Sequence, residues 1–251
     1  MSEGGTEKVM ELRGAAEKLS SRCDELIGEI IAETVVEYAT NPLDYAHLPH
    51  REYLKLAGQY NAETILLGMN PGPWGMAQCG IPFGATKVAR ELLGIIDLEV
   101  FQPQGAHPNR PVIGLEMTRQ EVSGTRLWGA LAQRYGTAEK ILSNIFVVNH
   151  CPLLLLDREG RNITPDKLSG QAFTDLMSAC DEHLREVVAV LSAKKIIGVG
   201  KYAEARALQT FPNHMGMGLE ISSIWHPSPA SPLANRNDGA DWRANIFAEL
   251  P

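Results

Sequence analysis

The sequence lacks any closely spaced pair of cysteines. Its four cysteines, Cys23, Cys79, Cys151 and Cys180, are scattered over 251 residues. Iron–sulfur clusters usually use at least one close pair, because the ligands must meet around a small inorganic core. The spacing therefore excludes such a cluster, and we expect reduced, mostly buried thiols.

Long apolar runs are also missing. No stretch approaches the roughly 18 apolar residues that a membrane-spanning helix requires. The N-terminal residues, MSEGGTEK, are polar and acidic, unlike a signal peptide, and no basic cluster indicates a nuclear signal. We expect an intracellular protein with no membrane partner, cytoplasmic in a bacterium or nuclear in a eukaryote.

An overall positive charge is absent as well. The formal net charge is −7, which argues against a nucleic-acid partner. Phosphate binding depends on local patches rather than on the total, however, and basic residues recur in the middle of the chain. These are Arg110, Arg119, Arg126, Arg158, Arg161 and Lys167. We therefore expect modest, salt-sensitive affinity for any nucleic acid.

The length and the hydrophobic pattern indicate a single α/β domain over residues 1–251. Short apolar runs predict strands at residues 64–67, 145–148, 195–199 and 221–225. Helical periodicity predicts an N-terminal helical segment at about 7–40 and helices at 86–96, 126–135, 173–191, 202–208 and 242–250. Residues 41–53 and 97–124 are predicted as loop. Strands separated by helices predict a three-layer α/β/α sandwich with a central four-stranded, mainly parallel sheet.

A loop rich in glycine and proline follows the first strand. Its sequence at residues 68–84 is GMNPGPWGMAQCGIPFG. Glycine permits close backbone approach and proline fixes φ, so the composition predicts a rigid loop that is neither helix nor strand. Bulky Trp74, Met76 and Phe83 do not belong in an ordinary solvated turn. A rigid loop at the carboxyl end of a strand is where an α/β sheet binds ligands.

Polar residues stand just beyond predicted strands: Asn70, Asn149 and His226. Taken singly, a strand-end asparagine often caps a turn, and a histidine before proline is often structural. In a parallel sheet, however, the carboxyl ends of the strands lie along one edge, so the three side chains can converge on one pocket.

Separated segments of the chain together resemble one enzyme family. GMNPGPWGMAQCGIPFG and HPSPASPLAN (residues 226–235) are similar to the signature motifs of the single-strand-selective monofunctional uracil-DNA glycosylases. EVSGTRLWG (residues 121–129) and NHCPLLLLDREGRNITP (residues 149–165) resemble that family too. The resemblance spans roughly residues 41–245, and its segments occur in the family's order.

The resemblance implies hydrolysis of the N-glycosidic bond of uracil in DNA, as in base-excision repair, by a monofunctional enzyme that leaves an abasic site without metal or cofactor. His226 is expected to stabilise the negative charge that develops on the departing base. Asn70 takes the position that orients the attacking water. An amide cannot act as a general base, so bond breaking must run ahead of attack.

The same resemblance assigns the base pocket. Asn149 is expected to read uracil through its amide, although the sequence indicates no group that holds this amide in one orientation. Phe83 is expected to stack on the extruded base, and Met69, Gly72 and Met76 to shape the pocket near C5, where Gly72 leaves room. The implied substrates include uracil and 5-hydroxymethyluracil but not thymine, since a hydroxymethyl group replaces an ordered water's hydrogen bonds and a methyl group does not.

DNA contacts are expected from two loops, because the target base must be flipped out of a duplex or taken from a single strand. The candidate wedge consists of Pro227, Ser228, Pro229, Ala230, Ser231, Pro232 and Leu233. The family often has arginine where this chain has Ala230, which places strong duplex penetration in doubt and leaves Leu233 as an apolar plug. The second loop comprises residues 159–173, in which Arg161 and Lys167 are available to phosphates.

Two alternatives stay open. A glycosylase of the same fold with a shifted preference for deaminated purines, xanthine or hypoxanthine, needs a substrate panel to distinguish it. A non-catalytic single-stranded DNA-binding module would use Phe83 and Trp74 as stacking platforms, but pure binding needs neither Asn70 nor His226. The expected partner is DNA, single-stranded or duplex, and the expected state is a monomer.

Overall fold

A computed structural model of the chain describes residues 3–251. Met1 and Ser2, which belong to the predicted domain and to the polar N-terminus, lie outside the described residues.

The described strands form a four-stranded parallel sheet and a small antiparallel pair. Their bounds are β1 Tyr38–Thr40, β2 Thr64–Gly68, β3 Ile145–Asn149, β4 Leu154–Leu156, β5 Lys195–Val199 and β6 Glu220–Ile224. The parallel sheet has the order β3-β2-β5-β6, and every residue of β2 and β3 is buried. Strands of this kind must be covered on both faces, which explains their continuous apolar runs.

Helices cover both faces of the sheet, so the predicted α/β/α architecture is confirmed. Their bounds are α1 Glu3–Glu33, α2 Pro42–Tyr45, α3 His47–Ala57, α4 Met76–Cys79, α5 Val122–Tyr135, α6 Ala138–Asn144, α7 Gln171–Leu191, α8 Lys201–Thr210, α9 Pro232–Asn235 and α10 Ala240–Glu249. Helix α1 packs along α7, and α8 packs on β5 and β6. Among residues 3–251, every helix is too short or too polar to cross a bilayer.

Residues 41–53 were predicted as loop, and this is wrong, because they form α2 and most of α3. The Asn41 side-chain Oδ1 accepts a hydrogen bond from the Leu43 backbone N–H (3.1 Å) and caps α2. Pro42 occupies the first helical position, where the missing N–H costs no hydrogen bond. Proline here begins a helix instead of excluding one.

Two predictions near the glycine-rich loop are also wrong. The loop contains the helical turn α4, which ends at Gly80 in a left-handed conformation (φ 67°). The helix predicted at 86–96 begins at residue 86 but ends early, in a π-helical turn at Val88–Leu92 that is followed by Gly94 at φ 67°. A left-handed glycine ends a helix, so the apolar periodicity beyond it does not extend the turn.

The N-terminal helix ends at Glu33, so the predicted helical segment at about 7–40 is wrong at its end, where β1 forms. Strand β4 and helix α6 were missed, since elements this short give little periodic signal. Strand β4 continues into a tight hairpin in which Asp157 N–H donates to the Arg161 carbonyl (3.0 Å) and Ile163 N–H to the Leu155 carbonyl (2.8 Å). The hairpin brings residues just after Arg161 back toward the carboxyl end of the parallel sheet.

Candidate active site

A cavity of about 350 Å³ opens at the carboxyl ends of β2, β3 and β6. The residues predicted for catalysis and base binding all line it: Met69, Asn70, Gly72, Met76, Phe83, Asn149 and His226. Gly68, the last residue of β2, is directly paired with Asn149 of β3. The edge of the parallel sheet therefore brings these side chains together, as the strand-end pattern predicted.

Asn149 closes the inner end of the cavity and is 5% exposed. Its Nδ2 donates to the Met76 Sδ at 3.2 Å. A thioether sulfur can only accept, so this contact fixes which side of the amide carries nitrogen. Within residues 3–251, the buried Oδ1 has no hydrogen-bond partner. A Cβ on Gly68 would lie 2.2 Å from this oxygen, so glycine is required for the amide to sit there.

Phe83 forms a wall of the same cavity in a strained conformation. Its φ is 51°, a left-handed value that is rare for a bulky residue and costs about 1–3 kcal/mol. The flanking backbone is held by the Trp128 indole N–H, which donates to the Pro82 carbonyl (3.2 Å). The Phe83 ring centroid lies 6.2 Å from that of His226. Strain maintained by surrounding contacts is typical of functional sites.

His226 is held as one tautomer. The Ser228 backbone N–H donates to its Nδ1 at 3.1 Å, so Nδ1 carries no proton and the neutral ring has its proton on Nε2. Burial lowers the pKa of His226, which favours this neutral form at pH 7. The site therefore offers a neutral N–H donor.

Asn70 is oriented by a short relay of hydrogen bonds that the sequence did not indicate. Asn162 Nδ2 donates to the Pro71 carbonyl (3.0 Å), and Asn70 Nδ2 donates to Asn162 Oδ1 (3.2 Å). The Pro71 carbonyl only accepts, so Asn162 must turn its own oxygen toward Asn70. The consequence is that Asn70 keeps its Oδ1 as the acceptor available to a ligand.

Asn162 and Glu121 also line the cavity, and sequence reasoning assigned no role to either. Asn162 reaches the site because the β4 hairpin folds back, with a bridge between Leu156 and Asn162. Both residues lie inside the segments that carried the family resemblance, 149–165 and 121–129. Their position there was the only signal that could have identified them.

A buried polar network anchors the residue after Asn149. His150 lies 2.7 Å from Asp181 Oδ1, and the Arg206 Nη2 donates to Asp181 Oδ2 at 2.6 Å. Burial alone would raise the pKa of Asp181, but the hydrogen bonds from His150 and Arg206 outweigh it and hold this pKa below its usual value. The network holds His150, the residue that follows β3, in place.

The predicted wedge lies beside the cavity, and Ser228 lines it. Pro229, Ala230 and Pro232 are exposed, and Leu233 is 40% exposed, whereas Pro227 is buried. Pro232 and Leu233 belong to α9. The Arg126 guanidinium donates to the Pro227 carbonyl (3.1 Å) and to Asn235 Oδ1 (3.0 Å), so the loop has a fixed shape.

Basic side chains lie in the loops of the protein despite the net negative charge. Arg119 and Arg110 lie over the Trp74 ring, 4.2 and 5.4 Å from its centroid. Trp74 is half-buried, with these two guanidinium groups over its ring. Arg161 and Lys167 are exposed as predicted, but Arg161 contacts Asp157 (2.9 Å) and Glu159 (2.8 Å). A phosphate must compete with those surface ion pairs, which are individually weak.

The described residues contain no group of three or more His, Cys, Asp or Glu side chains placed to hold a metal ion. The polar atoms of the cavity are instead hydrogen-bond donors and acceptors in fixed orientations. Such an arrangement can bind a planar polar heterocycle and direct a water at it.

Comparison with known proteins agrees with the geometry. The family model of the uracil DNA glycosylase superfamily matches residues 57–250. A single-strand selective monofunctional uracil-DNA glycosylase of Rattus norvegicus is 41% identical over 94% of this chain and 80% of its own length. The Bos taurus protein of that description is 40% identical over 86% of this chain and 78% of its own. The crystal structure of Pedobacter heparinus SMUG2 has a TM-score of 0.58 at 15% identity, covering 86% and 88% of the two chains, which shows a shared fold.

Proposed function

The chain belongs to the uracil-DNA glycosylase superfamily, and we propose that it is a monofunctional glycosylase that excises uracil from DNA. The proposed substrates include C5-modified uracils such as 5-hydroxymethyluracil, in single-stranded and duplex DNA. Hydrolysis breaks the bond between C1′ of the deoxyribose and N1 of the base and leaves an abasic site.

The observation that carries this proposal is the orientation of the Asn149 amide. Its Oδ1 is buried without a protein partner among the described residues, and a buried acceptor of this kind is costly until a ligand supplies a donor. Uracil supplies one at N3–H and accepts at O4 from the second Nδ2 hydrogen. Cytosine presents a lone pair at N3 and a donor at N4, so it would meet the amide with the wrong polarity. Met76 is the group that prevents the amide from turning over.

His226 and Asn70 are the proposed catalytic residues. As the glycosidic bond breaks, its electron pair moves onto the base, and the neutral Nε2–H of His226 donates to the developing negative charge on O2. The sugar becomes positive at C1′, where water adds and releases its proton to solvent, and the departing uracil anion takes up a proton from solvent. Asn70 Oδ1 accepts a hydrogen bond from that water and aims its oxygen at C1′. No proton is transferred to Asn70.

Phe83 is the proposed stacking surface for the base, and the loop from Pro227 to Leu233 is the proposed contact with the DNA around it. The exposed Leu233 side chain offers an apolar group that can fill the space the flipped base leaves. Arg119, Arg126, Arg161 and Lys167 supply positive charge around the opening. Because phosphate contacts release counterions, the affinity should be modest and should fall as the salt concentration rises.

The direct test is abasic-site formation on oligonucleotides that carry one uracil, 5-hydroxymethyluracil, thymine, hypoxanthine or xanthine. We expect excision of the two uracils and not of thymine, from single strands and from duplexes. Hypoxanthine also presents N–H next to a carbonyl. Excision of the purines instead of uracil would therefore leave the proposed mechanism in place and change the preferred base. Binding of single strands without excision of any base would overturn the proposal.

Asn162 is proposed to act through Asn70. Replacing Asn162 with alanine removes the acceptor that fixes the Asn70 amide, so this amide can turn its nitrogen to the water. We expect the single-turnover rate of uracil excision to fall about 10- to 100-fold, the effect of a misdirected reactant. Affinity for DNA and the melting temperature should not change.

The matched control is Asn213→Ala, at an exposed position outside the cavity. An Asn162→Ala variant with full activity, or one whose lost activity follows a lost melting temperature, would contradict a positioning role.

A further inference from the structure

Trp74 carries two arginine side chains over its ring. The guanidinium carbon of Arg119 lies 4.2 Å from the ring centroid, and that of Arg110 lies 5.4 Å from it. A guanidinium group is attracted to the face of an indole ring, which explains why both groups settle there. The ring therefore holds two positive charges close together, although like charges repel.

Neither charge is neutralised by an ion pair. Within residues 3–251, the arginines that form ion pairs with carboxylates are Arg22, Arg51, Arg90, Arg161, Arg206 and Arg236. Arg110 and Arg119 are not among them. The Arg110 Nη1 donates to the neighbouring Asn109 carbonyl (2.9 Å), and the Arg110 Nε is buried without a partner among the described residues. Guanidinium N–H groups that lack an acceptor are suited to an anionic oxygen, such as that of a phosphate.

The cluster of Trp74, Arg110 and Arg119 lies beside the cavity. Gly72 and Glu121 line the cavity. A Cβ on Gly72 would collide with the Glu121 carboxylate, so this side chain fills the space that the sequence suggested was left open for the base. Burial raises the pKa of Glu121, and the Trp74 backbone N–H and the Arg119 charge oppose that shift because they lie near the carboxylate. The cluster therefore adjoins the cavity wall that Gly72 and Glu121 form.

A buried glutamine holds the backbone on which the cluster is built. The Gln78 Nε2 donates to the Pro73 carbonyl (2.9 Å) and to the Pro111 carbonyl (3.0 Å). Its Oε1 accepts from two backbone N–H groups further along the second of these segments. One side chain thus ties the residue before Trp74 to the residue after Arg110. Because the arrangement is formed before a ligand arrives, little conformational entropy is lost on binding.

We propose that Trp74, Arg110 and Arg119 form a subsite for a backbone phosphate of the target strand, beside the nucleotide whose base enters the cavity. This inference rests on the proposed function. A base in the cavity remains attached to its sugar–phosphate chain, so the phosphates of the adjacent nucleotides must pass close to the cavity wall. The two guanidinium groups donate to the phosphate oxygens, and the negative charge relieves their mutual repulsion. The indole ring fixes the direction from which they donate.

The test is the affinity for single-stranded oligonucleotides with one 2′-fluorinated deoxyuridine, which resists hydrolysis, at several salt concentrations. The double variant Arg110→Gln/Arg119→Gln should bind about 10-fold or more weakly. The slope of log K against log salt concentration should become shallower by about 0.7, the value for one phosphate on a single strand. Trp74→Leu keeps both charges but no longer holds them in place, so it should weaken binding only about 3-fold and leave the slope unchanged.

The matched control is Arg134→Gln/Arg185→Gln, which makes the same charge change at two exposed arginines. These lie near the C-terminal ends of α5 and α7, and the chain passes from those ends toward the starts of β3 and β5, at the edge of the sheet opposite the cavity. We expect this variant to retain the wild-type affinity and slope. The melting temperature of each variant separates a lost contact from a lost fold.

Oligonucleotides extended on only the 5′ or only the 3′ side of the modified nucleotide complete the test. Since the subsite adjoins one wall of the cavity, the arginine double variant should lose affinity for one set and not for the other. Equal losses on both sides, an unchanged slope, or an equal loss in the control variant would overturn the proposal. A loss in Trp74→Leu as large as that in the double variant would also overturn it, because the ring would then stack on a base. Failure of the proposed function is distinguishable, because the wild type would then excise no uracil at all.

Discussion

Replacing His226 with alanine is expected to slow uracil excision by about 100- to 1000-fold, the usual consequence of removing one donor from a developing negative charge. The loss should fall on the chemical step, because the neutral Nε2–H contributes most when charge has accumulated on O2. Single-turnover rates with enzyme in excess measure that step. Affinity for an oligonucleotide with a 2′-fluorinated deoxyuridine, which resists hydrolysis, measures binding separately and should change little.

The neutral state of His226 gives this prediction a second part. Since burial lowers its pKa, the ring resists protonation as the pH falls below about 6.5, the value for a free histidine. We therefore expect that protonation of His226 does not lower the single-turnover rate of uracil excision at pH 6.5. His226→Gln, which retains an N–H donor, should keep more activity than the alanine variant.

The control for His226 is His214→Ala, in the loop that precedes β6 and away from the cavity lining. An unchanged single-turnover rate in His226→Ala, with the fold intact, would remove His226 from the mechanism.

Replacing Asn149 with aspartate should have a still larger effect, because it reverses the polarity that the amide presents. The carboxylate loses the donor to uracil O4 and places a second acceptor against it. We expect uracil excision to fall about 1000-fold or more, the scale on which a polar site rejects a mismatched hydrogen-bonding pattern. Cytosine, which offers an amino donor at N4, should lose far less, so the preference for uracil over cytosine should disappear or reverse.

Paired single-stranded oligonucleotides that differ only in U or C test this directly. Asn149→Ala introduces no charge and should also lose uracil excision. A loss in this variant cannot come from misfolding around a buried carboxylate, so it isolates the loss of the amide's hydrogen bonds. Asn213→Asp makes the same charge change at an exposed position and should leave both rates unaltered. An Asn149→Asp variant that still prefers uracil as strongly as the wild type would show that another group reads the base.

The sheet and the long helices could be predicted from the sequence because each carries a repeated signal. Strands β2, β3, β5 and β6 begin and end within one residue of the apolar runs that predicted them. The short elements could not be predicted in this way. Helix α2 depends on a capping asparagine and a proline at the helix start, and the β1–β4 pair depends on a partner more than 100 residues away along the chain.

The same distinction applies to the candidate site, where some features could be predicted from the sequence and others could not. The sequence alone determined that Asn70, Asn149 and His226 stand at strand ends, and parallel pairing then obliges them to share one edge. It could not determine how each is oriented. Met76 holds the Asn149 amide, Asn162 holds Asn70, and Ser228 fixes the proton on His226.

The orientations of Asn149 and Asn70 come from contacts between segments that are distant in sequence, and so does the position of Glu121 against Gly72, whereas the contact between Ser228 and His226 is local. A residue's type limits which hydrogen bonds it can make, but only the tertiary structure decides which of them are made inside the protein and which are left for a substrate. The sequence therefore specified the chemical groups of the site, and the packing of the loops and the β4 hairpin specified the direction in which those groups act.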